Sequence, residues 1–150
     1  MAGDTIRMLN DNRRAKFEYT LTDELEAGLV LLGSEVKSLR VSGNVNLSDA
    51  FVDLRPDGAW LLQSYIATYE QANRENHETR RPRKLLLHSK QIAKLRKSTR
   101  EKGITIIPTK LYFKGNRVKL EIAIAKGKKQ YDKRQSIKER DVKRQLRRIR

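Results

Sequence analysis

The sequence predicts a mainly β protein: a small antiparallel barrel of about six strands, with helices inserted between the strands and a basic C-terminal tail. Apolar and polar side chains alternate in several segments that short turns separate, which is typical of antiparallel strands. The helical segments interrupt this series instead of alternating with the strands, which argues against a parallel α/β sheet. The last twenty-five residues carry twelve Lys or Arg and three Asp or Glu, and too few apolar side chains for a core.

The chain divides into three predicted regions. Residues 1–15 are polar and predict a mobile N-terminal arm, with order beginning at about Lys16. Residues 16–125 form the predicted barrel, and residues 126–150 form the tail. At 150 residues, a chain with such a tail has room for one domain of ordinary size.

The first strands are predicted on either side of a polar turn. Phe17, Tyr19 and Leu21 alternate with polar residues, which predicts one strand. A second strand is predicted at 26–32, after the polar residues 22–24.

A short helix and a hairpin follow. Residues 33–40 predict a helix that Ser34 caps and that ends before Gly43. Residues 50–54 and 60–66 predict two strands, because Pro-Asp-Gly between them suits a type I turn.

The second half is predicted to begin with a loop. Residues 70–83 are polar and end in a basic cluster, which predicts a mobile basic loop. A helix is predicted from Ser89 to Lys102, stopped at Gly103. The last predicted hairpin pairs 104–113 with 118–125.

This strand count and these short connections fit an oligonucleotide-binding (OB) type barrel, whose strand face and loops commonly bind nucleic acid. A net charge of +16 and a pI near 10.4 indicate an anionic partner. Nucleic acid is favoured over an acidic membrane, because the tail lacks the wide apolar face of an interfacial helix. No apolar run approaches the roughly 18 residues that a membrane span needs, which predicts a cytoplasmic protein that does not enter membranes.

Catalytic and metal-binding signatures are not found in the sequence. There is no cysteine, no glycine-rich phosphate loop and no nucleophile elbow. His77 and His88 are isolated, and we interpret His77 as a solvated side chain in a polar loop. The carboxylates at 23, 24 and 26 are interpreted as a charged turn. The sequence therefore predicts a binding protein without cofactor or metal, and not an enzyme.

Three basic clusters lie at the ends of predicted elements: 12–16, 80–84 and 126–134. Together with the aromatic rings of Phe17 and Tyr131, such clusters can contact phosphates and stack on unpaired bases. We expect two of the three to contact RNA.

The tail is predicted to be disordered until it is bound. Ordering costs about 1–2 kcal/mol per residue, whereas each buried aliphatic side chain returns only about 1.5–3 kcal/mol. Ser136 and Glu139 have the spacing of a capping box, and Val142, Leu146 and Ile149 form a narrow apolar stripe among cations. A helix of this kind suits a groove or tunnel walled by RNA.

At this point the sequence resembles the bacterial SsrA-binding protein (small protein B) family over nearly its whole length. The strings that carry the resemblance are NRRAKFEY (12–19), EAGLVLLGSEVKSLR (26–40), RPRKLLLH (81–88), LYFKGNRVKLEIAIAKGKKQYDKR (111–134) and the basic tail. Several long strings in the correct order are more specific than any single motif above.

The resemblance implies an OB-type adaptor without catalysis. It would bind the tRNA-like domain of transfer-messenger RNA (tmRNA, or SsrA RNA), where the protein takes the place of the missing anticodon arm. It would deliver this RNA to stalled ribosomes for trans-translation and peptide tagging. The tail would enter the empty mRNA channel beyond the decoding region of the small subunit and become helical there. Elongation factor Tu, through aminoacyl-tmRNA, is a further implied partner, and the protein is expected to be a monomer.

The resemblance also implies site residues. On the barrel, Asn12, Arg13, Glu26, Leu86 and Lys119 stand at the family's RNA-contacting positions. The neighbouring basic residues extend this predicted tmRNA surface: Arg14, Lys16, Arg83 and Lys84. The predicted ribosome-binding residues of the tail are Lys126, Lys128, Lys129, Tyr131, Asp132, Lys133, Arg134, Lys138, Arg140, Lys143, Arg144, Arg147 and Arg148.

Two of these positions have a second reading. Glu26 either accepts hydrogen bonds from base N–H groups or forms a salt bridge at a strand end. Leu86 either packs against an exposed base or belongs to the core. Phe17, where many relatives carry His, keeps a flat ring but loses the ring nitrogen.

Two alternatives remain at the level of function. A structural ribosomal protein, with its tail threaded permanently through ribosomal RNA, has the same composition. An RNA-processing enzyme would require a catalytic constellation, which the sequence does not contain.

Overall fold

The computed structural model describes residues 5–69 and 76–128. Within them, the elements run in the order β1 (Ile6–Asp11), α1 (Arg13–Glu18), β2 (Tyr19–Leu29), α2 (Gly33–Val41), β3 (Val45–Asn46), β4 (Phe51–Arg55), β5 (Gly58–Leu62), β6 (Tyr65–Ile66), β7 (Arg83–Leu86), α3 (Ser89–Ser98), β8 (Ile104–Lys114) and β9 (Arg117–Gly127).

Seven strands form one antiparallel sheet in the order β1-β8-β9-β2-β7-β5-β4, and β3 pairs with β6. The strand β4, at one end of this order, also packs against β8, so the sheet curls back on itself. Ladder pairing between β4 and β8 is not found in the described part of the chain. The predicted mainly β class with inserted helices is confirmed, and the curled sheet is consistent with the OB type.

The core lies on the inner face of this curled sheet. Alternation along β9 points Leu120, Ile122 and Ile124 to that face, where they are almost fully buried. They pack with apolar side chains from the other strands and from α2 and α3: Ala27, Leu39, Leu61, Leu85, Leu95 and Leu111. The predicted hairpin of 104–113 with 118–125 is confirmed as β8 and β9, which pair from Ile104–Lys126 to Lys114–Arg117.

The predicted start of order at about Lys16 is wrong. Residues 6–11 form β1, an edge strand paired with β8, and residues 13–18 form α1. The Oδ1 atom of Asn12 caps α1 by accepting the N–H of Ala15 at 3.3 Å. An edge strand that exposes most of its side chains carries little of the alternation that predicts strands, which explains the error. Phe17, predicted in a strand, lies in α1.

The two strands predicted between 17 and 32 are one strand, β2. Its register with β9 shifts between Thr22 and Leu25, and Asp23 in this bulge has a φ of 53°. The polar residues 22–24 therefore mark a bulge and not a turn. Conversely, the strand predicted over 60–66 is interrupted at Gln63, which has a φ of 61°, so that β6 leaves the large sheet.

Both longer helices begin where predicted, but Ser34 does not cap α2. The N–H of Leu32 donates to Oε1 of Glu35 at 2.8 Å, and Ser34 instead hydrogen-bonds His77. Helix α3 ends at Ser98 and not at Lys102, because the Oγ1 of Thr99 binds the carbonyl of Leu95 at 2.9 Å and closes the last turn.

The predicted basic loop over 70–83 is partly wrong. Residues 70–75 lie outside the described residues, whereas Arg83 opens strand β7. His77 is only 5% exposed. Its ring nitrogens lie 2.9 Å from Ser34 Oγ and 2.9 Å from the carbonyl oxygen of Ile66. The prediction of a solvated histidine is therefore wrong too.

A buried ion pair joins helix α2 to strand β7. Glu35 and Arg83 are both 0% exposed, and an Arg83 nitrogen lies 2.5 Å from Glu35 Oε2. Arg83 also donates to the Ser64 carbonyl at 2.8 Å and to the Thr79 carbonyl at 3.1 Å, while Arg81 binds Glu35 Oε1 at 2.6 Å. The Glu35 carboxylate therefore binds two arginines, and Arg83 connects helix α2 to residue 64 and to residue 79.

The pKa of Glu35 is lowered despite its burial. Desolvation is the largest single effect and acts to raise the pKa, but the hydrogen bonds from Arg81 and Leu32 and the charge of Arg83 together outweigh it. The carboxylate is therefore ionised at neutral pH.

We expect Glu35→Gln to lower the free energy of unfolding by about 3–5 kcal/mol at pH 7, because it leaves the buried Arg83 charge without its partner. Urea denaturation checks this. The matched control is Asp53→Asn, which removes the partner of Arg55 in an exposed pair and should cost at most about 1 kcal/mol.

A comparison of wild type with Glu35→Gln at different pH values tests the ionisation of Glu35. The pKa of Glu35 is lower in the folded than in the unfolded chain, so its stabilisation is present above about pH 4.3 and is lost as the pH falls through the folded value. The stability gap between wild type and Glu35→Gln should narrow in that range. A gap independent of pH would contradict the ionised carboxylate.

Candidate nucleic-acid interface

The side of the large sheet opposite the core carries a row of aligned residues. Tyr112 pairs with Lys119, Lys119 pairs with Gly28, and Gly28 pairs with Leu86, across four neighbouring strands. Their chain neighbours point into the core, so these residues face away from it. We call this surface, including Glu26 two residues before Gly28, the outer face. It brings together Glu26, Leu86 and Lys119, which were predicted from three separate parts of the sequence.

Glu26 is held by two donors in the free protein. Its Oε2 atom accepts from the hydroxyl of Tyr112 at 2.5 Å, and its Oε1 atom lies 3.4 Å from the Nζ of Lys114. The Tyr112 hydrogen bond is the main reason why the pKa of Glu26 is lowered, with burial opposing it and Lys114 adding to it. Burial, and then the Glu26 carboxylate, raise the pKa of Tyr112. Of the two readings of Glu26, the salt bridge is the one present here.

Leu86 is 57% exposed and is therefore not a core residue. It lies directly over Gly28: a Cβ atom at position 28 would approach the Cβ of Leu86 to 3.2 Å. A groove of about 350 Å³ lies beside Leu86, and Gly28 is part of its lining. Its lining residues are Gly28, Leu29, Leu31, Val36, Leu86, Asn116, Arg117, Val118 and Lys119. We call it the Leu86–Lys119 groove.

The outer face continues onto β7 and β5. Lys84, two residues before Leu86, pairs with Trp60. The Nζ of Lys84 lies 6.0 Å from the centre of the indole ring, and the Arg55 guanidinium lies 5.4 Å from it. Sequence reasoning missed Trp60, although its alternation with the buried Ala59 and Leu61 places it on this face. An aromatic ring beside cations is an arrangement on which bases can stack.

The predicted basic cluster at 12–16 lies on and just before α1. Arg13, Arg14 and Lys16 are exposed; Arg14 contacts Glu18 and Asp49 at 3.0 and 3.2 Å, and Lys16 contacts Asp11 at 3.2 Å. Exposed pairs of this kind exchange readily with other anions.

The root of the tail lies beside α1. Tyr19 pairs with Gly127, and the N–H of Lys128 donates to the carbonyl of Glu18 at 3.0 Å. The α1 cluster, Lys126 and Lys128 therefore form one basic end of the molecule.

Two predicted residues have structural contacts that occupy their side chains. Asn12 is 3% exposed, and its Nδ2 atom donates to the carbonyls of Leu47 and Pro108 at 3.2 and 2.8 Å. Arg83 is the buried partner of Glu35. Both polar side chains make buried contacts within the fold, which the composition of the sequence does not reveal.

The remaining tail residues lie outside the described residues: Lys129, Tyr131, Asp132, Lys133, Arg134, Lys138, Arg140, Lys143, Arg144, Arg147 and Arg148. Within residues 5–69 and 76–128, His and acidic side chains form no group that could hold a metal ion. In the same residues, no helix is long and apolar enough to cross a membrane.

Comparisons with known proteins agree with one another. The family model described as SmpB protein matches residues 9–150. Among curated proteins, the SsrA-binding protein of Carboxydothermus hydrogenoformans is 49% identical over 93% of this chain and 93% of its own length. That of Aquifex aeolicus is 51% identical over 97% of this chain and 92% of its own. A chain of the solved structure "tmRNA-SmpB: a journey to the center of the bacterial ribosome" superposes with a TM-score of 0.68, at 36% identity, over 85% of this chain and 93% of that one.

We expect Tyr112→Phe to raise the pKa of Glu26 toward its ordinary range, because the substitution removes the hydroxyl that donates to the carboxylate. Carboxyl-carbon NMR titration measures this. Tyr65→Phe, which leaves the Glu26 carboxylate untouched, is the control. An unchanged Glu26 pKa in Tyr112→Phe would mean that Tyr112 does not hold this carboxylate in solution.

Proposed function

The chain belongs to the SmpB protein family, and from this membership we propose its function: it binds SsrA RNA (tmRNA) through the tRNA-like domain and brings it to stalled bacterial ribosomes for trans-translation. The observation that carries the proposal is the resemblance over residues 9–150 together with the convergence of Glu26, Leu86 and Lys119 on one face.

The chemistry of the outer face suits a folded RNA. Lys119, Lys84 and Lys114 supply cations for phosphates. The exposed side chain of Leu86 and the half-buried ring of Trp60 supply apolar surface for unstacked bases. The Glu26 carboxylate, which Tyr112 orients, can accept from a base N–H once Lys114 turns to a phosphate. One face of the sheet thus supplies positive charge for phosphates, apolar surface for bases and one carboxylate acceptor.

At the basic end of the molecule, α1 belongs to the proposed tmRNA surface, and the root of the tail is assigned to the ribosome. This end carries Arg13, Arg14, Lys16, Lys126 and Lys128 and is exposed apart from partly buried Lys128. The tail that continues from it holds most of its own net charge of +9 beyond Lys128. In our proposal it enters the empty mRNA channel near the decoding region and becomes helical there, with the free energy supplied by counterion release.

Several finer points are part of the same proposal. The protein acts as a cytoplasmic monomeric adaptor, performs no catalysis and meets elongation factor Tu through aminoacyl-tmRNA. The alternative, a structural ribosomal protein, would remain on every ribosome through a high-salt wash. An adaptor is instead substoichiometric and is recovered with one small structured RNA, so sequencing the RNA that co-purifies tests the function directly.

We expect Lys119→Glu to weaken binding of the isolated tRNA-like RNA at least about tenfold, or about 1.4 kcal/mol, because it reverses a charge in the middle of the outer face. Fluorescence anisotropy at several salt concentrations measures this. The control, Lys97→Glu, makes the same charge change on the exposed side of α3 and should bind like wild type. Equal losses in both variants would mean that only net charge matters.

We expect a chain that ends at Lys128 to bind the tRNA-like RNA but to fail in peptide tagging on stalled ribosomes. This truncation keeps β9 and the hydrogen bond from Lys128 to Glu18 intact, so the body stays folded. A translation assay with tmRNA and a message lacking a stop codon provides the readout. Loss of specific RNA binding on truncation would refute the division between body and tail.

A further inference from the structure

A small pocket of about 240 Å³ lies where the start of β1, the end of α2 and the β8–β9 turn meet. It is lined by Thr5, Arg7, Arg40, Phe113, Gly115 and Asn116. The N–H of Gly115 donates to the Thr5 carbonyl at 2.9 Å, which ties the start of β1 to the turn. We call this the Arg7–Arg40 pocket.

Two arginines share one aromatic ring in this pocket. Arg7 pairs with Phe113 in the β1–β8 ladder, and its guanidinium carbon lies 5.9 Å from the centre of the ring. The guanidinium carbon of Arg40, from the last turn of α2, lies 5.7 Å from the same centre. The buried ring attracts both cations through its negative face and limits where they can move.

This pair of charges is not neutralised by the part of the chain that the structure describes. The ion pairs found there involve other cations, and neither Arg7 nor Arg40 has a carboxylate oxygen within 4.0 Å. Arg7 Nη1 donates to the carbonyl of Arg40 at 3.3 Å, which uses one of its five N–H donors. The other donors of the two planar groups suit an anion with several oxygens, such as a phosphate.

The pocket adjoins the Leu86–Lys119 groove. Asn116 lines both cavities, and Arg117 and Lys119 follow it along the groove. Helix α2 forms the other side, with Val36 in the groove and Arg40, one turn later, in the pocket. Arg7 lies on the same side of the sheet edge as its ladder partner Phe113, so a chain of nucleotides lying along the groove reaches the two arginines by passing over the β8–β9 turn.

We propose that Arg7 and Arg40 together form a phosphate site that holds one backbone phosphate of the RNA bound on the outer face. This inference rests on the proposed function and adds a contact at the edge of the sheet. Arg7 comes from β1, which sequence reasoning assigned to a mobile arm, so the structure alone brings it to Arg40.

The test uses the full-length variants Arg7→Gln, Arg40→Gln and the double variant, with Arg100→Gln as a control that removes one exposed cation elsewhere. Affinity for the isolated tRNA-like RNA is measured from about 0.05 to 0.3 M salt. We expect the double variant to bind at least about tenfold more weakly at low salt and to lower the log-log salt slope by about 1. The control should match wild type.

Urea denaturation separates an effect of Arg7→Gln on stability from an effect on RNA binding. Arg7 also caps the C-terminal end of α2 through the Arg40 carbonyl, so Arg7→Gln can lose stability. Lower stability combined with unchanged RNA affinity and salt slope would overturn the phosphate site. Arg40→Gln keeps its backbone carbonyl, so weaker RNA binding by this folded variant supports the site independently of capping.

Three further outcomes show whether the phosphate site or the proposed function is wrong. If Lys119→Glu weakens RNA binding but the double arginine variant does not, the phosphate site is wrong and the proposed function stands. If wild type binds the tRNA-like RNA no better than an unrelated duplex of equal length, the proposed function fails first. In an NMR titration, inorganic phosphate that shifts the Nε–H signals of Arg7 and Arg40 without any effect of the variants on RNA binding overturns the RNA assignment.

Discussion

The buried pair of Glu35 and Arg83 is the interaction on which the functional surfaces depend. It fixes α2 against the beginning of β7, and Arg83 extends the contact to Ser64 and Thr79. Three residues after Arg83, Leu86 reaches the outer face, and one residue after Glu35, Val36 lines the groove opposite it. The distance between the two walls of the groove is therefore set by a pair of charges that never meets solvent.

The two faces of the sheet divide structure from recognition. Period-2 alternation along β9 sends Leu120 and Ile122 into the core and Lys119 outward, so a single strand serves both purposes. The outer face does not depend on mobile loops for its geometry, because its members are held by ladder hydrogen bonds. The backbone of such a surface is already ordered before binding, so little backbone entropy is lost when an RNA docks.

The sequence predicted the elements whose local chemistry is unambiguous. The β8–β9 hairpin has clean alternation and a Gly-Asn turn, and α2 ends before Gly43 as expected. Prediction failed where a residue's role is set by distant partners. Arg83 reads as part of a basic surface cluster, but Glu35, 48 residues away, draws it into the core. Edge strand β1 forms because β8 is there to pair with, a condition no local pattern records.

The hydrogen bond from Lys128 to Glu18 makes the tail a tether with a fixed origin. The 22 residues that follow can reach at most about 75 Å when extended and about 33 Å as a helix. In the proposed function, docking of the body would confine residue 150 to that radius, so its local concentration near the channel would be set by geometry and not by the amount of protein in the cell. In the proposed function, entry of the tail into a nearby channel is then an intramolecular event, and helix formation there would shorten the connection between the body and the channel.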